Sequence, residues 1–180
     1  MGFAANVKQR WAMMQLKATS RQKKVVGWER AKKIGILYDA TDREAAECVH
    51  ELVRELRAEQ KEVSALGFVN ARYEEEIPKS RLGMDFFGPK SLNFSLKSSA
   101  VSVANFLGEQ FDLLIDLNLD GSPVLLRVTA ASRSGFIVGM GDAGRTFRDL
   151  YFENLSAPGE PAPRRLHVLI ENIKKYTAKL

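Results

Sequence analysis

The stretch FDLLIDL at residues 111–117 decides the fold. Five of its seven residues are large and apolar, and such a nearly continuous run is typical of a strand buried on both faces of a parallel sheet. A similar run, KIGILYD at residues 33–39, is followed by helical spacing of apolar residues and then by another apolar run at residues 61–70. Strand, helix and strand in this order form a βαβ unit, so we expect parallel strands from the start of the domain.

The alternation of helices and strands continues to the C-terminus. The further predicted elements are a loop with one short strand at 71–97, helices at 101–110 and 123–131, and a strand at 135–139. We therefore predict an α/β fold, a Rossmann-like three-layer sandwich with a mainly parallel sheet, over residues 33–156. A Pro-rich linker at 157–163 and a C-terminal helix at 164–180 complete the prediction.

The N-terminal segment is predicted to be a basic helix. Residues 3–26 contain neither proline nor glycine, which permits a helix of about six turns. An apolar stripe at helical spacing contains Phe3, Val7, Trp11 and Met14, and it is bordered by Arg10, Lys17, Arg21 and Lys24. Residues 1–32 are therefore predicted to form a basic amphipathic helical extension ahead of the α/β domain.

Charge is distributed unevenly along the chain. The net charge is +5, but nine of the 27 basic residues and only one of the 22 acidic residues lie between 1 and 33. Residues 164–180 add five bases and one acid, which leaves a net charge of −7 on residues 34–163. The body is expected to repel polyanions, whereas the two terminal segments attract them.

This charge pattern predicts an anionic partner. We expect a non-catalytic cytoplasmic binding module that docks through its N-terminal helix onto RNA or a ribonucleoprotein. The residues expected to bind nucleic acid or another anion are Lys8, Arg10, Trp11, Lys17, Arg21, Lys23 and Lys24. The apolar stripe and its flanking bases also suit an anionic membrane surface or an acidic protein partner, and the stripe equally suits packing against the acidic body.

A small-molecule enzyme or sensor, acting on a nucleotide or sugar nucleotide, is the remaining hypothesis. The C-terminal ends of strands in open α/β sheets bind small ligands, and acids also cap helices there. A possible pocket at this edge contains Asp39, Asp116, Asp120, Gly139, Gly141 and Gly144. Residues 139–144 match the G-x-G-x-x-G pattern, but no amphipathic helix follows, so the dinucleotide-binding pattern is incomplete.

Several other functional classes lack their characteristic residues. One cysteine and two histidines leave no ligand set for a structural zinc ion. None of the usual hydrolase, metalloprotease, kinase or redox motifs occurs in the sequence. We therefore expect no catalytic residue, no metal and no cofactor. The N-terminus lacks the apolar region of a signal peptide, and no apolar run is long enough to span a membrane, so a cytoplasmic location is expected.

Three segments carry a resemblance to known families, namely Lys33–Asp39, Phe111–Asn118 and Arg133–Gly139. Over residues 33–141 the chain resembles a family of uncharacterised Bacteroidota proteins that is defined only as a domain of unknown function. The last two segments also resemble the N-terminal, acceptor-side half of heptosyltransferase-type glycosyltransferases, which implies a Rossmann-like fold. Those transferases bind the nucleotide sugar with a second Rossmann-like domain, and only a linker and one helix follow here, so the resemblance implies reuse of the fold for binding.

Overall fold

One six-stranded sheet organises the computed structural model, which describes residues 19–91, 100–141, 147–153, 155 and 159–180. The strands are β1 (Lys33–Asp39), β2 (Glu62–Phe68), β3 (Met84–Phe87), β4 (Leu113–Leu117), β5 (Phe136–Met140) and β6 (Leu150–Phe152). The described α-helices are α1 (Arg43–Ala58), α2 (Val101–Gly108), α3 (Pro123–Ala131) and α4 (Ala162–Thr177). Two 3₁₀ turns lie at Glu74–Glu76 and Pro89–Ser91.

The strand order is β3-β2-β1-β4-β5-β6, and every neighbouring pair is parallel. This is the order of a doubly wound Rossmann-like sheet, in which the chain direction across the sheet reverses between β1 and β4. The predicted fold class is confirmed. All strand N-termini lie at one edge of the sheet and all C-termini at the other, and this polarity places the candidate sites described below.

Helices cover both faces of the sheet. On one face, α1 and α4 pack against Ile34, Ile36 and Tyr38 of β1. On the other, α2 and α3 pack against Leu37 and Leu114. All five residues of β4 are buried, which accounts for the nearly unbroken apolar run in this part of the sequence.

Some predicted elements have the expected bounds and others do not. β1 occupies the predicted Lys33–Asp39, and α4 begins at Ala162, two residues before its predicted start. Helix α1 is capped by Asp42, whose carboxylate accepts the Glu44 and Ala45 amides. β6 was not predicted, because three residues are too short to show a sequence period.

The predicted N-terminal helix does not extend to Val26. Residues 19–27 contain no helix; residues 19–32, here called the edge segment, run along the N-terminal edge of the sheet. Trp28 and Ala31 of this segment are buried in the core. Tertiary hydrogen bonds therefore override the helical spacing in this stretch, and the edge segment is part of the folded body. The predicted helical residues 1–18 lie outside the described part of the chain.

A buried ion pair joins Asp116, near the end of β4, to Arg148, two residues before β6. The Arg148 guanidinium lies 2.7 Å from the Asp116 carboxylate, and both side chains are almost fully buried. Gly139 lies beside this ion pair: a side chain there would overlap the backbone carbonyl oxygen of Asp116 and would approach Arg148 Nε to 3.1 Å. The absence of a side chain at residue 139 thus permits both the strand pairing and the ion pair.

Substitution of Gly139 tests this constraint. We expect Gly139→Ala to lower the free energy of unfolding by about 2 kcal/mol or more, because the overlapping atom belongs to the backbone and cannot rotate away. Gly108→Ala is the matched control, since no atom lies within 4 Å of the added carbon. The control is expected to be neutral or slightly stabilising in a urea unfolding experiment. Equal stability of the two variants would contradict this role for Gly139.

Candidate functional site

Both basic ends of the described chain meet at the N-terminal edge of the sheet. The Thr19 amide donates to Ala130 O at 2.8 Å, and the Lys24 amide donates to Gly135 O at 3.0 Å. Further along the edge segment, the Trp28 amide donates to Thr177 O at 3.0 Å near the end of α4. The fold thus joins two segments that are far apart in sequence and share an excess of positive charge.

A cleft of about 640 Å³ opens beside the edge segment. Its lining is mostly polar and consists of Thr19, Ser20, Arg21, Gln22, Lys24, Val26, Gln110, Phe111, Asp112, Arg133 and Gly135. We call it the basic cleft because it holds three cations and one carboxylate. That carboxylate, Asp112, accepts hydrogen bonds from the Lys32 and Lys33 amides through one oxygen.

Two cations of the basic cleft are available for a ligand. Lys24 and Arg133 are exposed, and neither side chain forms an ion pair or hydrogen bond with the described residues. Three more exposed bases in the same two terminal segments, Arg30, Lys32 and Lys179, form no ion pair, hydrogen bond or cation–π contact with these residues, whereas Lys175 lies over the Tyr176 ring. These five bases can meet anionic groups without first breaking an internal ion pair, and we call them the free-base row.

Two of the predicted anion-binding residues, Arg21 and Lys23, form ion pairs with Asp149 of the same chain. Arg21 contacts Asp149 at 2.6 Å and also donates to the carbonyls of Ser134 and Gly135. Lys23 contacts the same carboxylate at 2.9 Å, although its own side chain is 70% exposed. Arg21 therefore holds the edge segment against the sheet. The anion-binding role predicted for Arg21 stays a prediction; in this structure its guanidinium contacts the Asp149 carboxylate.

Of the seven residues predicted to bind anions, only Lys24 is both described and free. Lys8, Arg10, Trp11 and Lys17 lie outside the described residues. Arg133 was not predicted at all, because it is an isolated base between α3 and β5. The one available signal was its position just before a predicted strand, which places it at the edge where the basic segment also lies.

A second cavity, of about 400 Å³, lies at the C-terminal edge of the sheet, between β1 and β4, where the strand order reverses. We call it the switch-point pocket; it is lined by Asp39, Thr41, Asp42, Arg43, Ala45, Leu117, Asn118, Leu119, Asp120, Ala162 and Leu166. Asp39 and Asp120, two of the residues in the predicted pocket, line this cavity. Asp116, Gly139 and Gly141 do not line this pocket, and Gly144 lies outside the described residues.

Asp116 is a structural residue in this fold. It is fully buried, and besides Arg148 it accepts hydrogen bonds from Thr129 Oγ1 at 2.6 Å and from the Asn118 amide at 3.1 Å. Burial raises the pKa of Asp116, and the Arg148 guanidinium opposes that rise. Asp116 has no exposed surface and does not line the switch-point pocket, so the structure places it in the core rather than at the cavity.

The turns at the switch-point pocket are poorly suited to phosphate. A phosphate-binding turn needs free backbone amides, but Asp39 takes the Thr41 amide and Asp42 takes those of Glu44 and Ala45. No glycine lies in this β1–α1 turn. Among the described residues no group of three His, Cys, Asp or Glu side chains could hold a metal ion, and no described helix combines the length and apolar character needed to cross a bilayer.

Asp149 gives a testable pH dependence. Burial alone raises the pKa of Asp149, but hydrogen bonds from Lys23, the Ile137 amide and Arg21 bring it below the ordinary value of 3.8. The depressed pKa means that the ionised carboxylate stabilises the fold fully above about pH 4, and that this stabilisation is lost as the pH falls through the lower folded-state pKa.

We expect Asp149→Asn to lower the free energy of unfolding by about 3 kcal/mol at neutral pH, because Arg21 becomes a buried charge without its partner. The difference from the wild type should shrink below about pH 4. Asp120→Asn is the control, since the Asp120 side chain is 77% exposed and its ion pair with Arg165 should contribute less than about 1 kcal/mol. Urea unfolding over a pH series measures both; a pH-independent difference for Asp149→Asn would contradict the assignment.

Comparisons with known proteins identify a family and no individual relative. The model of a family of unknown function, DUF6913, matches residues 8–180. No curated protein and no solved structure matches the chain. The match covers the edge segment, all six strands and α4, so it includes both candidate sites. The chain therefore belongs to the DUF6913 family of unknown function.

Proposed function

We propose that this protein is a non-catalytic cytoplasmic module that binds RNA, free or within a ribonucleoprotein, along the N-terminal edge of its sheet. The observation that carries the proposal is the free-base row beside the basic cleft. Its members come from both terminal segments and from residue 133, and the fold brings them to one edge. The resemblance to heptosyltransferase-type glycosyltransferases stays a prediction, and the proposal does not depend on it.

The extent of the free-base row favours a polymer over a small anion. Lys24 and Arg133 line the basic cleft, whereas Lys179 lies just after α4, whose last residue, Thr177, accepts the Trp28 amide. One phosphate cannot contact all of these bases, but successive phosphates of a strand can. The hydroxyl and amide side chains of Thr19, Ser20, Gln22 and Gln110 add hydrogen-bonding groups for the sugar or base edges.

The remaining surface would orient such a polymer. Exposed carboxylates follow one another along α1, at Glu44, Glu47, Glu51 and Glu55. They repel phosphates from that face, while the N-terminal edge attracts them. A polyanion is therefore directed to the edge rather than to the helical face.

Salt dependence is the first test of this proposal. If the five bases of the free-base row each meet a phosphate of a single strand, the logarithm of the association constant should fall with the logarithm of salt concentration with a slope of about −3.5. Fluorescence anisotropy of a labelled single-stranded RNA of mixed sequence measures this slope. Binding that does not respond to salt would contradict the proposal.

Charge reversal at the cleft is the second test. The double variant Lys24→Glu/Arg133→Glu should weaken RNA binding by at least about tenfold and should reduce the salt slope by about 2. Its matched control is Lys79→Glu/Lys90→Glu, which makes the same change in net charge at exposed positions outside the basic cleft. Equal weakening by the two double variants would show that only the net charge matters and would overturn the assignment of the edge.

A truncated variant must keep the N-terminal residues that belong to the folded core. Removal of residues 1–18 leaves the edge segment intact, whereas a longer deletion would remove Arg21 and then Trp28 from the folded body. Retention of salt-dependent RNA binding after removal of 1–18 would support the edge as the site. Binding of the full chain to vesicles containing phosphatidylserine, with no binding to RNA, would instead support the membrane hypothesis and overturn this one.

A further inference from the structure

Two buried polar atoms on the face of the sheet that α1 covers have no hydrogen-bond partner among the described residues. One is Oη of Tyr38, whose side chain is fully buried in the core. The other is Nε2 of His50 on α1, which is shielded from solvent although the side chain as a whole is 32% exposed. A buried polar group without a partner destabilises a fold, so such groups nearly always bond to the protein or to an ordered water molecule.

The Tyr38 ring points along the sheet toward the edge strand β3. Tyr38, Gly67 and Phe86 are in register on three neighbouring strands, β1, β2 and β3. A side chain at Gly67 would meet Tyr38 Cζ at 2.9 Å and Phe86 Cδ1 at 3.0 Å, so the Tyr38 ring lies over Gly67 with Phe86 beyond it. The hydroxyl, which is attached to Cζ, therefore lies over β2 on the side of β3. Burial raises the pKa of Tyr38, so the hydroxyl keeps its proton and can donate a hydrogen bond at neutral pH.

His50 lies on the flank of α1 that faces β3. Arg57 follows it by seven residues, so the two side chains project from the same side of the helix. The Arg57 guanidinium donates to the carbonyl of Leu82, just before β3 begins. Because α1 runs antiparallel to the strands that it connects, His50 lies about 10 Å from this point toward the strand C-termini, which corresponds to about three residues of β3. We therefore expect His50 at the level of Phe86, beside the Tyr38 hydroxyl.

One small molecule can satisfy both atoms. His50 Nδ1 faces the Glu47 carboxylate at 3.5 Å, which favours the proton of the neutral ring on Nδ1 and leaves Nε2 as an acceptor. The Tyr38 hydroxyl can donate, but it forms no direct bond to Nε2. A water molecule can accept from Tyr38 Oη and donate to His50 Nε2 at the same time. Two protein partners are within the usual range for a buried water molecule.

We propose that Tyr38 Oη and His50 Nε2 bind one water molecule between α1 and the sheet, beside the edge strand β3. The water molecule links β1 to α1, and it completes a chain of hydrogen-bonding groups from the core through His50 to Glu47 at the surface. The site takes a neutral ligand because neither of its two groups carries a charge. It shares no residue with the basic cleft and is independent of RNA binding.

A high-resolution crystal structure of the full chain tests the site directly. A peak of solvent density is expected within about 3.2 Å of both Tyr38 Oη and His50 Nε2. A direct hydrogen bond between the two side chains overturns the proposal. So does solvent density that contacts only one of the two atoms or neither of them.

Removal of the Tyr38 hydroxyl tests the proposal in solution. Tyr38→Phe should lower the melting temperature by about 3 °C, because the water molecule loses one of its partners. Tyr73→Phe is the matched control: Tyr73 is 54% exposed, and loss of its hydroxyl should shift the melting temperature by less than about 1 °C. An unchanged or raised melting temperature for Tyr38→Phe overturns the proposal, because removal of a buried hydroxyl without a partner is neutral or stabilising.

A double-variant cycle shows whether Tyr38 and His50 share the water molecule. His50→Leu removes both ring nitrogens, and in that background the effect of Tyr38→Phe on the melting temperature should fall to less than about half. An effect that is not reduced to this extent means that the two side chains have separate partners, and it overturns the proposal. Tyr38→Phe should leave the affinity for RNA unchanged, so the two proposals fail or stand separately.

Discussion

The parallel pairing of β1 with β2 on one side and with β4 on the other is the constraint on which the rest of the structure depends. β1 is hydrogen-bonded along both edges and buried on both faces, so its direction sets the direction of every other strand. Because all strands run the same way, the turns divide into two groups at opposite edges. The two candidate sites follow from this division: one lies at the N-terminal edge and one at the C-terminal edge.

Two consecutive residues, Arg148 and Asp149, form ion pairs that connect the start of β6 to the core and to the edge segment. Arg148 binds the buried Asp116 at the end of β4, and Asp149 binds Arg21 of the edge segment. Each of these two residues therefore neutralises a buried side chain of opposite charge. Without its partner, either Asp116 or Arg21 would be an unpaired buried charge and would lower the stability of the fold. The short strand β6 starts directly afterwards, and these contacts explain how three residues keep a defined register at the border of the sheet.

Charge and hydrogen bonding give the two sites different chemistry. At the N-terminal edge, exposed bases of the free-base row lack internal partners, and the buried acids there are already bonded to Arg21 or to backbone amides. At the C-terminal edge, Asp39 and Asp42 occupy the amides that would otherwise hold a phosphate. The β1–α1 turn thus has no glycine, and three of its amides are already bonded to Asp39 and Asp42, whereas the free-base row lies at the opposite edge of the sheet.

Local patterns in the sequence were enough to predict the fold class, β1 at its observed bounds and the acids at the strand ends, because apolar runs and strand ends depend on neighbouring residues alone. The helix predicted from apolar spacing at residues 19–26 is wrong, because hydrogen bonds to Ala130 and Gly135 decide the conformation there. Sequence alone also could not separate Asp39, which lines a pocket, from Asp116, which is buried with Arg148. Only the tertiary structure decided these points, because the partners lie far apart in the chain and meet only once the sheet has formed.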